Sequence, residues 1–90
     1  MAKKRMTLKA TDRETLAACE EIVRNFEYEG YDRVMERLND VEGVEPPVFS
    51  EEDGWKVMAF CGVETRSAVS GQPLLDNWAA AARRALREAA

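Results

Sequence analysis

Two adjacent prolines, Pro46 and Pro47, divide the chain into halves with different hydrophobic periodicity. Each proline ring removes a backbone N–H donor, and the residue before a proline is driven toward extended conformations, so no helix continues through this point. Apolar residues recur every three or four positions before the pair and tend to alternate in the segment that follows it. The chain must therefore join a helical half to a half that contains a sheet.

The first half predicts two helices. Residues 11–14, TDRE, have the form of a capping box, which places a helix start at Thr11. Gly43 offers a stop, and Gly30 interrupts the pattern between them. An isolated glycine costs only about 1 kcal/mol relative to alanine, so periodicity leaves open whether Gly30 breaks or bends the helix; we favour a break. The apolar stripes are Leu16, Cys19, Ile22, Val23 and Phe26 in the first helix, and Tyr31, Val34, Met35, Leu38 and Val41 in the second.

Three strands and a helix are predicted after the prolines. Residues 48–50 fit a short edge strand, residues 55–61 a central strand, and residues 63–69 a return strand after Gly62. Pro73 fits the first position of a final helix, whose apolar face is Leu75, Trp78, Ala79, Ala82, Leu86 and Ala89. We expect a single α+β domain over residues 11–90, with the order ααβββα and a short antiparallel sheet packed against helices, after a flexible basic tail of residues 1–10.

Alternation gives the central strand two different faces. Trp55, Val57, Ala59 and Cys61 form a wholly small or apolar face, and Lys56, Met58 and Phe60 form a mixed one. Both faces can be partly covered, and we expect the mixed face to be the outer one.

Charge is distributed unevenly along the 90 residues, whose net charge is −4. Residues 1–10 carry +4 and residues 65–90 carry +2, whereas residues 11–64 hold fifteen acids against five basic residues, a net charge of −10. A field of one sign over half of a small domain repels nucleic acid and acidic membranes and attracts basic partners. The alternative is that the acidic surface only keeps the protein soluble.

The composition removes most familiar catalytic chemistry. The chain has no histidine, so a histidine-assisted catalytic thiol cannot be formed. Its two cysteines, Cys19 and Cys61, lie too far apart in the sequence for a CxxC zinc spacing. We interpret both cysteines as core residues and expect no disulfide in a reducing cytoplasm. The acids of residues 51–53 lack the pattern of a calcium loop, and no glycine-rich phosphate loop is present. We expect no enzyme activity, no cofactor and no metal.

The segment of residues 27–32, EYEGYD, places two tyrosines among acids at the junction of the first two helices. Aromatic side chains supply interface area while acids meet lysine or arginine of a partner. Tyr31 equally fits the second apolar stripe, so Tyr28 is the better candidate for an exposed contact. The predicted partner-binding residues are Glu20, Glu27, Tyr28, Glu29, Asp32, Glu36 and Asp40.

Two resemblances bear on function. Residues 78–86, WAAAARRAL, following three predicted strands, resemble the end of a double-stranded RNA-binding domain, but residues 71–76, GQPLLD, lack the basic residues with which that family grips phosphates. The strand that opens with residues 55–57, WKV, and the alanine-rich helix of residues 73–89 resemble small bacteriophage accessory proteins, which include anti-CRISPR and other anti-defence proteins. This second resemblance implies a non-enzymatic phage inhibitor, cytoplasmic in a bacterial host, whose acidic surface blocks a basic nucleic-acid-binding site of a host defence complex.

Two other functions stay open. A structural or assembly protein would form a homodimer or dock through an apolar face, for which Met58 and Phe60 are the candidates. A nucleic-acid binder would use the basic termini: Lys3, Lys4, Arg5, Arg83, Arg84 and Arg87. The leading prediction involves no direct binding to nucleic acid or membrane.

Overall fold

The computed structural model describes residues 10–89, and describes the side chains of residues 13–88. The elements are α1 (Ala10–Phe26), a 3-10 turn (Glu27–Glu29), α2 (Tyr31–Asn39), β1 (Val48–Glu52), β2 (Trp55–Phe60), β3 (Val63–Ser67) and α3 (Gln72–Ala89). The predicted α+β class and the order ααβββα are confirmed. The predicted basic tail lies outside the described residues except for Ala10, which begins α1. The side chain of Thr11 is also outside the description, so the predicted capping box is not described.

The three strands form one antiparallel sheet in the order β1-β2-β3. Asp53 and Gly54 join β1 to β2, with φ angles of 51° and 83°, which is the two-residue turn that suits the twist of a hairpin. Cys61 and Gly62 join β2 to β3 in the same way, with φ angles of 55° and 79°. The first turn is shorter than predicted, because Glu51 and Glu52 extend β1 and pair with β2.

The helices share one hydrophobic core with one face of the sheet. Helix α3 lies against β2 and β3, α1 contacts α3, and α2 contacts α1. Trp78 of α3 is fully buried, its ring lies 5.4 Å from that of Phe60, and its indole N–H donates a hydrogen bond of 3.1 Å to the Phe60 carbonyl. The predicted stripes are confirmed by their buried members: Leu16, Cys19, Val23, Val34, Met35, Leu38, Leu75, Trp78, Ala79 and Ala82.

The prediction that Met58 and Phe60 lie on the outer face of the sheet is wrong. Both are buried in the core, whereas Trp55 on the opposite face is 45% exposed. Alternation separates the two faces of a strand but does not say which face a helix will cover, and here Trp78 of α3 packs against Phe60. Val57 on the opposite face is also buried, so both faces are partly covered.

Gly30 breaks the helical half into two elements, as predicted. Its φ of 98° is a left-handed conformation that other residues rarely adopt, and its N–H bonds to the Glu27 carbonyl to close the 3-10 turn. Helix α2 ends at Asn39, four residues before the predicted stop at Gly43. The Asn39 side-chain amide donates a hydrogen bond of 2.8 Å to the Met35 carbonyl, which occupies a carbonyl at the end of the helix.

Candidate functional site

The candidate site is an exposed surface on the 3-10 turn and α2, here called the acidic–aromatic surface. It consists of Glu27, Tyr28, Asp32, Glu36 and Asp40, five of the seven predicted partner-binding residues, and all five are exposed. Tyr28 is 78% exposed, with its ring 6.5 Å from that of Phe26. An aromatic side chain this accessible, next to carboxylates, offers a partner both apolar area and negative charge.

Helix α2 and the residue that follows it place three of these acids in a row. Asp32 and Glu36 lie on α2, and Asp40 directly follows its last residue. The three acids are four residues apart, a helical spacing at which neighbouring Cβ atoms are about 5–6 Å apart. Residues 27–53 contain ten acids and two arginines, a net charge of −8. The row is therefore set within the most acidic part of the chain.

Ion pairs neutralise some of the acids around this surface. Glu36 has only a loose contact of 3.7 Å with Arg33, and both side chains are largely exposed. In the described part of the chain, no ion pair involves Glu27, Asp32 or Asp40. These three carboxylates carry the uncompensated charge of the acidic–aromatic surface.

Glu29, a sixth predicted partner-binding residue, has a structural partner. Its carboxylate accepts two hydrogen bonds, of 3.2 and 3.3 Å, from the guanidinium of Arg37. The same guanidinium lies 3.7 Å from the centre of the Phe26 ring, which is a cation–π geometry. Glu29, Arg37 and Phe26 therefore tie the 3-10 turn to α2 across the break at Gly30.

The prediction that Glu20 lies on the exposed surface is wrong. Its side chain is only 5% exposed and accepts hydrogen bonds from Arg24 at 3.0 and 3.2 Å and from Arg83 at 2.8 Å. The Arg24 hydrogen bond, followed by that from Arg83, lowers the pKa of Glu20 against the opposing effect of burial. Glu20 thus joins α1 to α3, and Arg83, one of the arginines considered for nucleic-acid binding, is its partner.

Tyr31 packs against the core and is half-buried, so the structure places it in the second apolar stripe. Burial, together with the charge of Asp32, raises the pKa of its hydroxyl. Tyr28 is therefore the exposed aromatic of the segment, as expected.

A second surface, here called the hairpin edge, was not predicted as a site. It is the exposed β1 side of the sheet, where Val48 of β1 and Trp55 of β2 on one face are 60% and 45% exposed and Phe49 of β1 on the other face is 47% exposed. All five residues of β1 are exposed, because α3 covers β2 and β3 but makes no comparable contact with β1. The short edge strand was predictable from the prolines before it, but its exposure depends on where α3 lies.

Comparison with known proteins identifies no relative. The chain matches no family model, and no curated protein or solved structure is significantly similar to it. Over the described residues, no three of His, Cys, Asp and Glu come together in a way that would hold a metal ion. None of the helices described is both long enough and apolar enough to cross a membrane.

Proposed function

We propose that the protein is a non-enzymatic interaction module that binds a basic partner through its acidic–aromatic surface. The observation that carries this proposal is the setting of Tyr28, which is 78% exposed and adjacent in sequence to Glu27, with Asp32 in the first turn of α2 and Asp40 directly after its last residue. Carboxylates without an internal cation keep their charge available to lysine and arginine of a partner.

The partner class that suits this surface is a protein that binds nucleic acid. A row of carboxylates along α2 and at its C-terminal end offers such a protein the regularly spaced negative charge that it otherwise finds in phosphates. The module would act as an inhibitor by occupying that site, and Tyr28 would anchor it. In line with the resemblance to phage anti-defence proteins, the target would be a defence complex in the cytoplasm of a bacterial host.

The test combines two matched triple variants of equal charge. Glu27, Asp32 and Asp40 are changed to lysine in the first, and Glu21, Glu64 and Glu88, exposed acids elsewhere, in the second. Wild type and both variants are used to capture proteins from a bacterial lysate at low salt, the bound proteins are identified by mass spectrometry, and the affinity of the purified partner is measured.

The proposal expects a basic nucleic-acid-binding partner that the first variant loses and the second retains. Affinity should fall steeply with salt, since the Debye length shrinks from about 10 Å at 0.1 M to about 3 Å at 1 M. The partner's own nucleic acid should compete with the module. Equal loss in both triple variants would mean that only net charge matters, and would contradict a site at this surface.

The hairpin edge supports a second candidate function, an assembly protein that pairs with a second copy of itself. In a two-residue hairpin the two residues that flank the turn form a hydrogen-bonded pair, and such pairs recur at every second residue along an antiparallel strand. The main-chain groups of Glu52, Ser50 and Val48 therefore bond to β2. The main-chain groups of Phe49 and Glu51 then point away from the sheet. Two copies of β1 can pair antiparallel about Ser50, with Phe49 of each copy opposite Glu51 of the other.

Charge does not oppose this pairing. Glu51 lies 3.1 Å from Lys56 and Glu52 lies 3.2 Å from Arg66, so the acids of β1 are matched within their own sheet. Each Phe49 would meet the Glu51–Lys56 pair of the other copy, whose aliphatic stems can cover the ring. Sedimentation equilibrium should then show a dimer that persists at high salt and is lost on Phe49→Glu; a monomer at all concentrations would exclude it.

A further inference from the structure

The core contains two thiols to which neither proposed surface gives a role. Cys19 of α1 is fully buried, and Cys61 in the turn between β2 and β3 is half-buried. Their Sγ atoms lie 3.7 Å apart, although the residues are 42 positions apart in the sequence. Neither cysteine is in a disulfide.

This geometry fits a disulfide better than a metal site. A structural zinc site needs four ligands, and nowhere in residues 13–88 does a third His, Cys, Asp or Glu complete a metal-binding group with the two thiols. A disulfide has an S–S distance of about 2.05 Å, so the two sulfur atoms would need to approach by about 1.7 Å. Cys61 lies in a turn rather than within a strand, and turns adjust more easily than the helix that holds Cys19.

We propose that Cys19 and Cys61 form an oxidation-sensitive pair that closes into an intramolecular disulfide and fixes α1 to the turn between β2 and β3. In a reducing compartment the pair stays as two thiols, so the bond records exposure to an oxidant such as a peroxide.

The reaction proceeds in two balanced steps. The Cys61 sulfur attacks one oxygen of hydrogen peroxide, the O–O bond breaks, and Cys61 sulfenic acid and one water form. The Cys19 sulfur then attacks the Cys61 sulfur, the S–O bond breaks, and the hydroxyl leaves with the Cys19 proton as a second water. The two thiols lose two electrons in total, and the peroxide gains them.

The two thiols are unequally placed for this chemistry. The hydrogen bond with Cys61, followed by burial, raises the pKa of the Cys19 thiol, so Cys19 stays protonated in the folded protein. Cys61 is the less buried residue of the two, so we expect a peroxide to reach it first. Because the thiolate is the reactive form, we expect slow closure, over minutes to hours, rather than the rapid reaction of a dedicated peroxide sensor.

The bond should stabilise the fold. It closes a loop that contains α2, β1 and β2, and so removes conformational freedom from the unfolded chain. For a domain of this size, the entropy of a loop this long corresponds to a rise in melting temperature of about 10 °C or more.

The experiment treats the purified wild-type protein with a small excess of hydrogen peroxide and follows its intact mass and melting temperature. The expected result is a monomer that is lighter by about 2 Da, melts at a higher temperature and returns to its original mass and melting temperature with dithiothreitol. Cys61→Ala, which changes a half-buried turn residue, should show neither change.

Other outcomes would overturn the proposal. A mass gain of about 16 or 32 Da without the 2 Da loss, located by peptide mapping on Cys61 rather than on a methionine, would mean that Cys61 is oxidised without reaching Cys19. Dimers linked by disulfides, seen on a non-reducing gel, would mean that the bond forms between chains. Because the wild-type mass alone decides the matter, the test holds even if the variant folds poorly, and it needs no binding partner.

Discussion

β1 and β3 flank the same central strand, yet they have opposite environments. Val63 and Ser67 of β3 are buried beneath α3, whereas every residue of β1 is exposed. Both strands are five residues long and each is joined to β2 by a two-residue turn, so neither length nor turn chemistry explains the difference. The sheet is built by local pairing, but a strand becomes core or surface according to where the final helix lies.

The largest expected effect comes from placing a negative charge at two positions on the same face of the sheet, one buried and one exposed. Phe60 is 3% exposed and Phe49 is 47% exposed, and both share a face with Met58. Phe60→Glu buries an unpaired carboxylate and removes a core ring, at a cost above about 5 kcal/mol, which is near the whole stability of a small domain. Phe49→Glu should cost less than about 1 kcal/mol.

Urea denaturation followed by circular dichroism should therefore show no cooperative transition for Phe60→Glu and a near wild-type midpoint for Phe49→Glu. Equal losses in both variants would mean that β1 is covered in solution, which would also favour the dimer through the hairpin edge.

The next largest effect concerns the two tryptophans. Trp78→Phe keeps an aromatic ring in the core but leaves the buried Phe60 carbonyl without the indole N–H, so we expect the free energy of unfolding to fall by about 2–3 kcal/mol. Trp55→Phe on the hairpin edge should change it by no more than about 0.5 kcal/mol. Thermal unfolding of both variants measures the difference, and similar losses would contradict it.

A smaller effect separates a buried acid from its exposed neighbour. Glu20→Gln should reduce the free energy of unfolding by about 1–2 kcal/mol at neutral pH, because hydrogen bonds from Arg24 and Arg83 lose their charged acceptor. Glu21→Gln, next to it but exposed, should change stability by less than about 0.5 kcal/mol.

The pH dependence provides the control for Glu20. Its pKa in the folded protein is below the ordinary value of 4.5, so the folded carboxyl holds a proton less tightly than the unfolded one. The contribution is therefore complete above about pH 5.5, falls as the pH drops through 4.5 and is lost below the lowered pKa. The stability difference between wild type and Glu20→Gln should shrink over this range, and a constant difference would contradict the ion pairs.

The smallest effect tests the turn that holds β1 in place. Gly54 has a φ of 83° with nothing within 4 Å of an added Cβ, so Gly54→Ala should cost about 1 kcal/mol from backbone strain alone. Gly54→Asn should cost less, because asparagine tolerates the left-handed region. Chemical denaturation of the two variants gives both values, and a larger loss for asparagine would contradict this account of the turn.

Much of the fold was predictable because its signals are local. The break at Gly30, the short edge strand and the class and order of the elements follow from glycine and proline positions and from apolar spacing. The prediction fails where the outcome depends on which hydrogen-bond partner a side chain finds. Helix α2 ends at Asn39, whose side chain bonds to the Met35 carbonyl, rather than at Gly43. Glu20, four residues from Arg24, is buried where it also accepts a hydrogen bond from Arg83 of α3.

The candidate site was predictable to a similar extent. Tyr28 is exposed as expected, because its position in the 3-10 turn lies outside both apolar stripes. The structural role of Glu29 was not predictable, because Arg37 comes into reach only when the chain reverses at Gly30. Val48, Phe49 and Trp55 carried no signal of exposure, since the same residue types would suit a covered strand.

The sequence by itself determined the elements of this protein, their order and their turns, since these depend on φ angles, missing N–H donors and apolar periodicity within about ten residues. Only the tertiary structure decided which face of the sheet is core, which acids remain exposed and that Cys19 meets Cys61. Those outcomes depend on contacts such as that between Glu20 and Arg83, 63 residues apart, and a local pattern cannot specify a partner so distant along the chain.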